Sequence, residues 1–346
     1  MTKDLVLLTG ATGMVGFKVL IYLLQAGYRV RAAVRTQAGF DKISASKTIL
    51  PYVSLLECII VPEITTPGAY DEAVKGTKHI VHVASPLAAN LAETGEYERS
   101  IIQPSIQGTV GMMESAMKEQ GIQKLVITSS VSSFASVAAL VSGIRVDEQT
   151  REAKTDGPFL SNFLAYEAAK ALAFQATEKF VTSRKPSFGV VTIHPAFILG
   201  RDDNVDRLED MARGTNRIIT GPLMGRSNPR PIPGITVHLD DVAQLHILAL
   251  DDKVEGNQSF IAAGPNYGSV NWADAADIIK RRYPEAYAAN AFQFDSCTPT
   301  QTLAAKADST KATETFNLKF KSFEEQVVSI VDQFLELSKD FKLEDE

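Results

Sequence analysis

The sequence predicts an α/β fold: a doubly wound parallel sheet with a smaller C-terminal α/β lobe. Three observations carry this. Short apolar runs alternate with helical patterns over roughly the first 200 residues, a glycine-rich turn joins the first run to the first helix, and the pattern changes after His194. Strands separated by helices require crossover connections, which makes the sheet parallel and the crossovers right-handed.

Leu5 to Leu8 is an apolar run suited to a strand buried on both faces. Gly10, Gly13 and Gly16 follow at three-residue spacing in TGATGMVG. Val19, Leu20, Leu23 and Leu24 then recur at helical period until Gly27 stops the helix. A second strand, Arg29–Val34, completes a βαβ unit. A glycine turn feeding a helix offers bare backbone N–H groups and the positive end of the helix dipole to a pyrophosphate. Gly10 makes the tight turn, Gly13 lets the phosphates approach, and Gly16 lets the helix pack on the strand.

Further strands are predicted in LLECIIV, HIVHVAS, KLVITSS and FGVVTIHP, with helices over Phe17–Ala26, Tyr70–Lys75, Gln107–Glu119 and Ala165–Phe180. The Asp-, Arg-, Gly-, Asn- and Pro-rich stretch Arg201–Pro233 reads as a long functional loop. Helices follow at Val242–Leu250, Trp272–Arg282 and Phe323–Leu337. Residues 1–195 are expected to form a Rossmann-type dinucleotide-binding domain to which later segments return, and 196–346 mainly a substrate-binding lobe.

The 346 residues carry 35 basic and 41 acidic side chains, a net charge of −6. This suits a globular enzyme and gives no general attraction to nucleic acid or an anionic membrane. No apolar run approaches the ~20 residues of a membrane span. The first strand starts too early for a leader peptide, so a soluble cytoplasmic protein is the default expectation. Cys58 and Cys297 match no metal or redox spacing and read as free thiols. His79, His82, His194, His238 and His246 show no ligand spacing, so no metal is expected; each reads as a satisfied buried or strand-end histidine. Trp272, Phe316, Phe320 and Phe323 read as core anchors, and Lys342–Glu346 as a frayed end.

In NAD-binding folds an acidic residue about 20 positions past the glycines holds the ribose 2′-hydroxyl, whereas arginine there accommodates a 2′-phosphate. Between Gly16 and Asp41 there is no acidic residue, but Lys18, Arg29, Arg31 and Arg35 are present. Arg35, just past the second strand, suits a phosphate. NADP(H) is therefore expected rather than NAD.

Tyr166 and Lys170, four apart in YEAAK, project from one helix face. A tyrosine titrates near ~10, and a neighbouring ammonium is expected to lower that value. The pair suits proton exchange with a substrate oxygen. Upstream, the strand end Leu125–Thr128 runs into Ser129, Ser130, Ser132 and Ser133, any of which could polarise a carbonyl oxygen there. Spacing does not choose among them.

TGATGMVG, ITSS and YEAAK, in this order, resemble the extended short-chain dehydrogenase/reductase superfamily. VRAAVRTQAGFDK, GAYDEAVKGTKHIVHVASP and HPAFILG resemble its dihydroflavonol reductase branch, nearest the fungal and yeast carbonyl reductases of the methylglyoxal and aldehyde reductase type. The resemblance extends from about Thr2 into the Phe323–Leu337 helix. It implies Ser130 as the catalytic serine, Tyr166 as proton donor, and Lys170 as the residue holding the nicotinamide ribose. It implies Gly10, Ala11, Thr12, Gly13, Met14 and Val15 in the cofactor turn, Arg35 and Lys42 around the 2′-phosphate, and Glu63 with Ile64 near the adenine. Ala84, Ser85 and Thr128 would line the middle of the cofactor, and Pro195 and Ile198 the nicotinamide. Two departures stand out: Glu63 replaces the usual Asp, and Gln107 replaces an Asn common before the glycine in IQGT. The stretch from Ser85-Pro86 onward and the Arg201–Pro233 loop would shape the substrate pocket.

The expected activity is NADPH-dependent reduction of aldehydes or ketones, by a monomer or homodimer acting on a small-molecule carbonyl substrate. Alternatives are a sugar-nucleotide epimerase/dehydratase or a hydroxysteroid dehydrogenase of the same superfamily, or a non-catalytic NADP-sensing regulator. The intact Tyr166–Lys170 pair weighs against the regulator.

Overall fold

The computed structural model of the protein describes residues 3–86 and 95–344, so the stretch after Pro86 that was expected to shape the pocket lies, from residue 87, outside the described residues. The main sheet contains β1 (Leu5–Thr9), β2 (Arg29–Val34), β3 (Leu56–Ile60), β4 (His79–His82), β5 (Lys124–Thr128), β6 (Gly189–Pro195) and β7 (Gln258–Ala262). Their spatial order is β7-β6-β5-β4-β1-β2-β3. β1 pairs in parallel with both β2 and β4, so the chain winds outward in opposite directions from β1. In such a sheet the switch point opens a crevice at the strand C-termini. Thr9 there stands opposite His82 in register.

Each of the six apolar runs forms a strand, because each is short, β-branched-rich and bounded by turn residues. β7 was not anticipated. Helix α1 (Met14–Gln25) starts three residues earlier than its apolar period indicated and ends before Gly27, whose φ is +84°. Helix α2 (Gln37–Ser44) follows β2 and is capped by Thr36, whose Oγ1 accepts from Gly39 N. Helix α3 (Gln103–Ala116) continues from a single π-helical turn at Glu98–Ile102. Helix α4 (Asn162–Arg184) is capped by Ser161 and carries Tyr166 and Lys170.

The helix expected over Tyr70–Lys75 is instead a run of turns. Gly68 and Gly76, at φ +76° and +69°, close both ends, which leaves too few residues to propagate a helix. Tyr70, Ala73 and Val74 still bury their side chains in the core with Leu7, Ile80, Leu125 and Met113.

Two compact units emerge. One comprises Met1–Ser136, Glu148–His194 and Ala243–Phe260; the other comprises Val137–Asp147, Pro195–Val242 and Ile261–Glu346. The second unit has its own core, in which Leu199, Trp272, Ile278, Ile330 and Phe334 pack together. Its strands are short, with Phe197–Leu199 paired to Thr236–His238 and Ile232–Pro233 paired to Thr302–Leu303. The expected Arg201–Pro233 loop is partly ordered, holding a 3₁₀ turn at Leu208–Ala212 and a helix at Arg217–Leu223. Met211, Ile218, Ile219 and Leu223 supply the apolar contacts that a polar composition concealed. The C-terminal helix extends from Phe323 to Glu344, so the expected frayed end is helical up to that residue. Among the described residues no helix is long and apolar enough to cross a membrane.

Gly16 permits the βαβ unit to close: a Cβ there would lie 2.0 Å from the Gly10 carbonyl oxygen. Gly16→Ala is expected to displace the glycine turn and cost roughly 2–3 kcal/mol. Urea denaturation would measure this, with Gly111→Ala as the control because a Cβ at Gly111 meets nothing within 4 Å.

Candidate active site

The site begins at the switch point. Thr9 Oγ1 accepts hydrogen bonds from Val83 N (3.1 Å) and Ala84 N (3.0 Å), fastening the end of β1 to the residues after β4. Gly10 turns with φ +76°, and a Cβ there would lie 2.8 Å from Ala84 N. Ala11 is buried, Thr12 and Gly13 are exposed, and Met14 and Val15 are half-buried. Gly13 caps α1 without a side-chain hydrogen bond, and a Cβ there would meet only the Gly10 carbonyl, at 3.6 Å. The first turn of α1 thus offers its N–H groups to an outside acceptor.

The Thr12 methyl is 3.4 Å from where a Cβ on Gly39 would sit, which brings the glycine turn beside α2. Arg29 and Arg31 are committed to Glu57, at 3.7 and 2.6 Å, and Arg31 also donates to the carbonyls of Ala73 and Lys75. Arg35 is exposed and makes no hydrogen bond or ion pair among the described residues. Lys42 is exposed on α2, beyond the Thr36 cap. Exposed N–H groups, a side-chain-free turn and an uncommitted guanidinium together suit an anionic dinucleotide.

Glu63 and Ile64 follow β3. Glu63 Oε1 accepts from Thr65 N (3.0 Å) and Thr65 Oγ1 (2.7 Å), which holds its carboxyl below the usual range. The Ile64 Cδ1 atom lies 3.1 Å from the Cβ position of Gly108 on α3. Pro195 ends β6, and Ile198 lies in the Phe197–Leu199 strand of the second unit.

At the end of β5 the four serines separate by partner. Ser129 Oγ donates to Ser133 Oγ at 3.3 Å, and Ser133 hydrogen-bonds His194 Nδ1 at 2.7 Å. Ser130 caps the 3₁₀ turn Val131–Ser133, accepting from Ser132 N at 3.2 Å. The Ser130 side chain is near enough to the Tyr166 hydroxyl to oppose the rise that burial gives its pKa. Ser130 and Tyr166 therefore meet. Lys170, one turn along α4, is buried; its Nζ is 5.8 Å from the Tyr166 ring centroid and 3.5 Å from the Thr128 carbonyl oxygen.

The electrostatics differ from expectation in one respect. Burial raises the Tyr166 pKa, with the Ser130 side chain opposing and the Glu167 charge adding to the rise. The expected lowering by Lys170 is not found, because desolvation of the phenolate dominates. Burial pushes Lys170 down to about 8. At neutral pH the site thus presents a protonated phenol beside an ammonium that titrates close to that range.

Two histidines passed over in the sequence support this site. Thr128 Oγ1 is 2.7 Å from His246 Nε2. His194, fully buried, is 3.2 Å from the Ser130 carbonyl through Nδ1 and 2.8 Å from Thr192 Oγ1 through Nε2. Its ring lies between Phe134 and Phe174, with centroids 4.2 and 4.8 Å away. It braces the Ser130 turn against the helix that carries Tyr166. His194→Leu is expected to cost roughly 2–3 kcal/mol, since it strands buried hydroxyl and carbonyl groups. Chemical denaturation of the variant would measure the loss.

The chain matches the NAD dependent epimerase/dehydratase family over residues 6–263. It is 36% identical to ketoreductase CTB6 of Cercospora beticola, across 97% of this chain and 96% of that protein. It is 31% identical to the NAD-dependent epimerase/dehydratase FUM13 of Gibberella moniliformis, across 97% of each. Among solved structures, Gre2 of Candida albicans in complex with NADPH superposes with a TM-score of 0.82 at 23% identity, covering 97% of this chain and 99% of that one; it shares the fold. Glycine turn, sheet order and matched length agree, and the chain belongs to the NAD dependent epimerase/dehydratase family.

Proposed function

We propose that the protein is an NADPH-dependent reductase of aldehydes or ketones, with Ser130, Tyr166 and Lys170 as its catalytic residues. The observation that carries this reading is the placement of Ser130, on the turn after β5, together with Lys170, whose Nζ is 5.8 Å from the Tyr166 ring centroid and 3.5 Å from the Thr128 carbonyl oxygen at the C-terminal edge of the sheet. It is supported by the name ketoreductase borne by a relative 36% identical over nearly the whole chain, and by the NADPH complex of the Gre2 structure.

Gly10–Val15 would hold the pyrophosphate, Arg35 and Lys42 the 2′-phosphate, and Glu63 with Ile64 the adenine end. Ala84, Ser85, Thr128, Pro195 and Ile198 would line the remainder, and Lys170 would hold the ribose. Bound NADPH supplies a hydride to the carbonyl carbon. Ser130 Oγ hydrogen-bonds the carbonyl oxygen, and Tyr166 donates its proton as negative charge develops there. The raised pKa suits Tyr166 to donation, because it keeps the phenol protonated through neutral pH. The Lys170 ammonium favours the charge developing nearby.

The test is NADPH and NADH oxidation with a panel of small aldehydes, diketones, aryl ketones and β-keto esters. NADPH is expected to be strongly preferred. Tyr166→Phe is expected to reduce kcat by at least about 100-fold while NADPH binding persists. Arg35→Ala is expected to weaken NADPH binding about tenfold or more and leave NADH unaffected. Saturable NADPH binding without turnover of any carbonyl would contradict the reading, as would co-purified NAD.

A pH dependence follows from Lys170. It is protonated below its folded value of about 8 and loses its charge as pH rises through that value. A pH–rate profile of kcat/KM is therefore expected to decline on its alkaline side near pH 8, with Tyr166 still protonated there.

A further inference from the structure

Behind Lys170 lies a small cavity within the first unit, lined among others by His82, Ser105, Thr109, Thr128, Ser129 and Lys170. Two side chains on its wall keep N–H donors to spare. Ser105 Oγ donates to the Ile101 carbonyl (2.7 Å) and Thr109 Oγ1 to the Ser105 carbonyl (2.9 Å), leaving both hydroxyls as acceptors. Lys170 brings three N–H donors and, among the described residues, has only the Thr128 carbonyl, at 3.5 Å.

The other is His82. It is 2% exposed, and its Nε2 is buried with no hydrogen-bond partner among the described residues. Its tautomer can be deduced. Thr9 Oγ1 already accepts two backbone N–H bonds, so its own proton goes to His82 Nδ1, 2.9 Å away. The neutral ring therefore carries its proton on Nε2. Burial and the nearby Lys170 charge push the His82 pKa down to about 3, so the ring stays neutral. A neutral ring exerts no opposing charge on Lys170.

Two unsatisfied donors and two available acceptors thus line one buried cavity. Water is the ligand that accepts two hydrogen bonds and donates two. An anion would meet the lone pairs of Ser105 and Thr109, whose protons are taken by the Ile101 and Ser105 carbonyls. We propose that His82 is a positioning residue. It fixes, through its Nε2–H, a water that also accepts from Lys170 Nζ and donates to Ser105 and Thr109, and this water orients the Lys170 ammonium. The water site stands on the geometry alone; its catalytic consequence rests on the role of Lys170 proposed above.

Lys170 has few other titratable neighbours. His82 faces it from β4 and Tyr166 from its own helix. Glu167 bears on Tyr166, and His246 reaches Thr128 through the hydroxyl. Tyr70 packs edge-on against His82 at 5.8 Å and remains protonated, its pKa raised by burial.

Two measurements on the cofactor-free protein decide the proposal. In long-range ¹H–¹⁵N spectra of histidine-labelled protein, the His82 ring is expected as the neutral Nε2–H tautomer across pH 5–9. A Nδ1–H tautomer or a titrating ring would overturn the proposal. The second follows the ¹³Cε resonance of Lys170, expected to titrate near pH 8 in the wild type. In His82→Leu, which removes the donor that fixes the water, the midpoint is expected to fall by about half a pH unit or more. In His82→Gln, whose amide N–H reaches about as far as Nε2, it is expected to stay within about 0.3 of the wild type. An unchanged midpoint in His82→Leu would overturn the proposal. If that variant does not fold, the wild-type tautomer still decides. Neither readout needs turnover, so failure of the carbonyl-reductase reading would leave both intact. Where reduction is observed, the alkaline limb of its pH profile is expected to move with the Lys170 midpoint in His82→Leu.

Discussion

The Thr9 hydroxyl is the interaction on which the site depends. At the switch point it receives the N–H groups of Val83 and Ala84 and gives its proton to His82. One buried side chain thereby joins the end of β1 to the end of β4. That junction sets the distance between the glycine turn and the residues after β4, and it is why Gly10 has no room for a Cβ against Ala84. It also fixes the His82 ring, which lines a cavity together with Lys170. Dinucleotide cradle and lysine environment are two consequences of one hydrogen-bonded corner.

A second constraint acts from the opposite side. The Ser130 turn is too short to hold its own geometry, with three residues in 3₁₀ conformation. It is braced by His194, which bonds Ser133 and the Ser130 carbonyl and packs between Phe134 and Phe174. Phe174 lies on the same helix as Tyr166 and Lys170. Packing therefore keeps serine and tyrosine in register, in keeping with the rule that a reacting constellation needs support behind it.

The fold was legible where a pattern was both local and bounded. Leu5–Gly27 combines an apolar run, three glycines, a helical period and a stop, and each signal forms the expected element, with only the helix start displaced by three residues. Tyr70–Lys75 has the apolar spacing of a helix but is closed by glycines at both ends, and burial of Tyr70, Ala73 and Val74 served turns equally well. Arg201–Pro233 reads as a loop by composition, yet Met211, Ile218, Ile219 and Leu223 find partners distant in sequence, which no local window contains. Within the site, the Tyr166–Lys170 spacing was visible, but the partners that distinguish Ser129, Ser130 and Ser133 needed three dimensions. So did the direction of the Tyr166 pKa, because burial outweighs the charge that the spacing suggests. His82, His194 and His246 carry no spacing signal; their partners Thr9, Ser133 and Thr128 come from other strands and turns.

The central claim is that this corner, with Ser130, Tyr166 and Lys170, moves a hydride from NADPH to a carbonyl carbon. Mass analysis of the alcohol formed from an aryl ketone with NADPH deuterated at nicotinamide C4 tests it most directly. The account predicts one deuterium on the carbinol carbon, from one face of the cofactor, and none when the label is supplied as solvent. Product lacking the cofactor's label, or carrying solvent deuterium at that carbon, would contradict it.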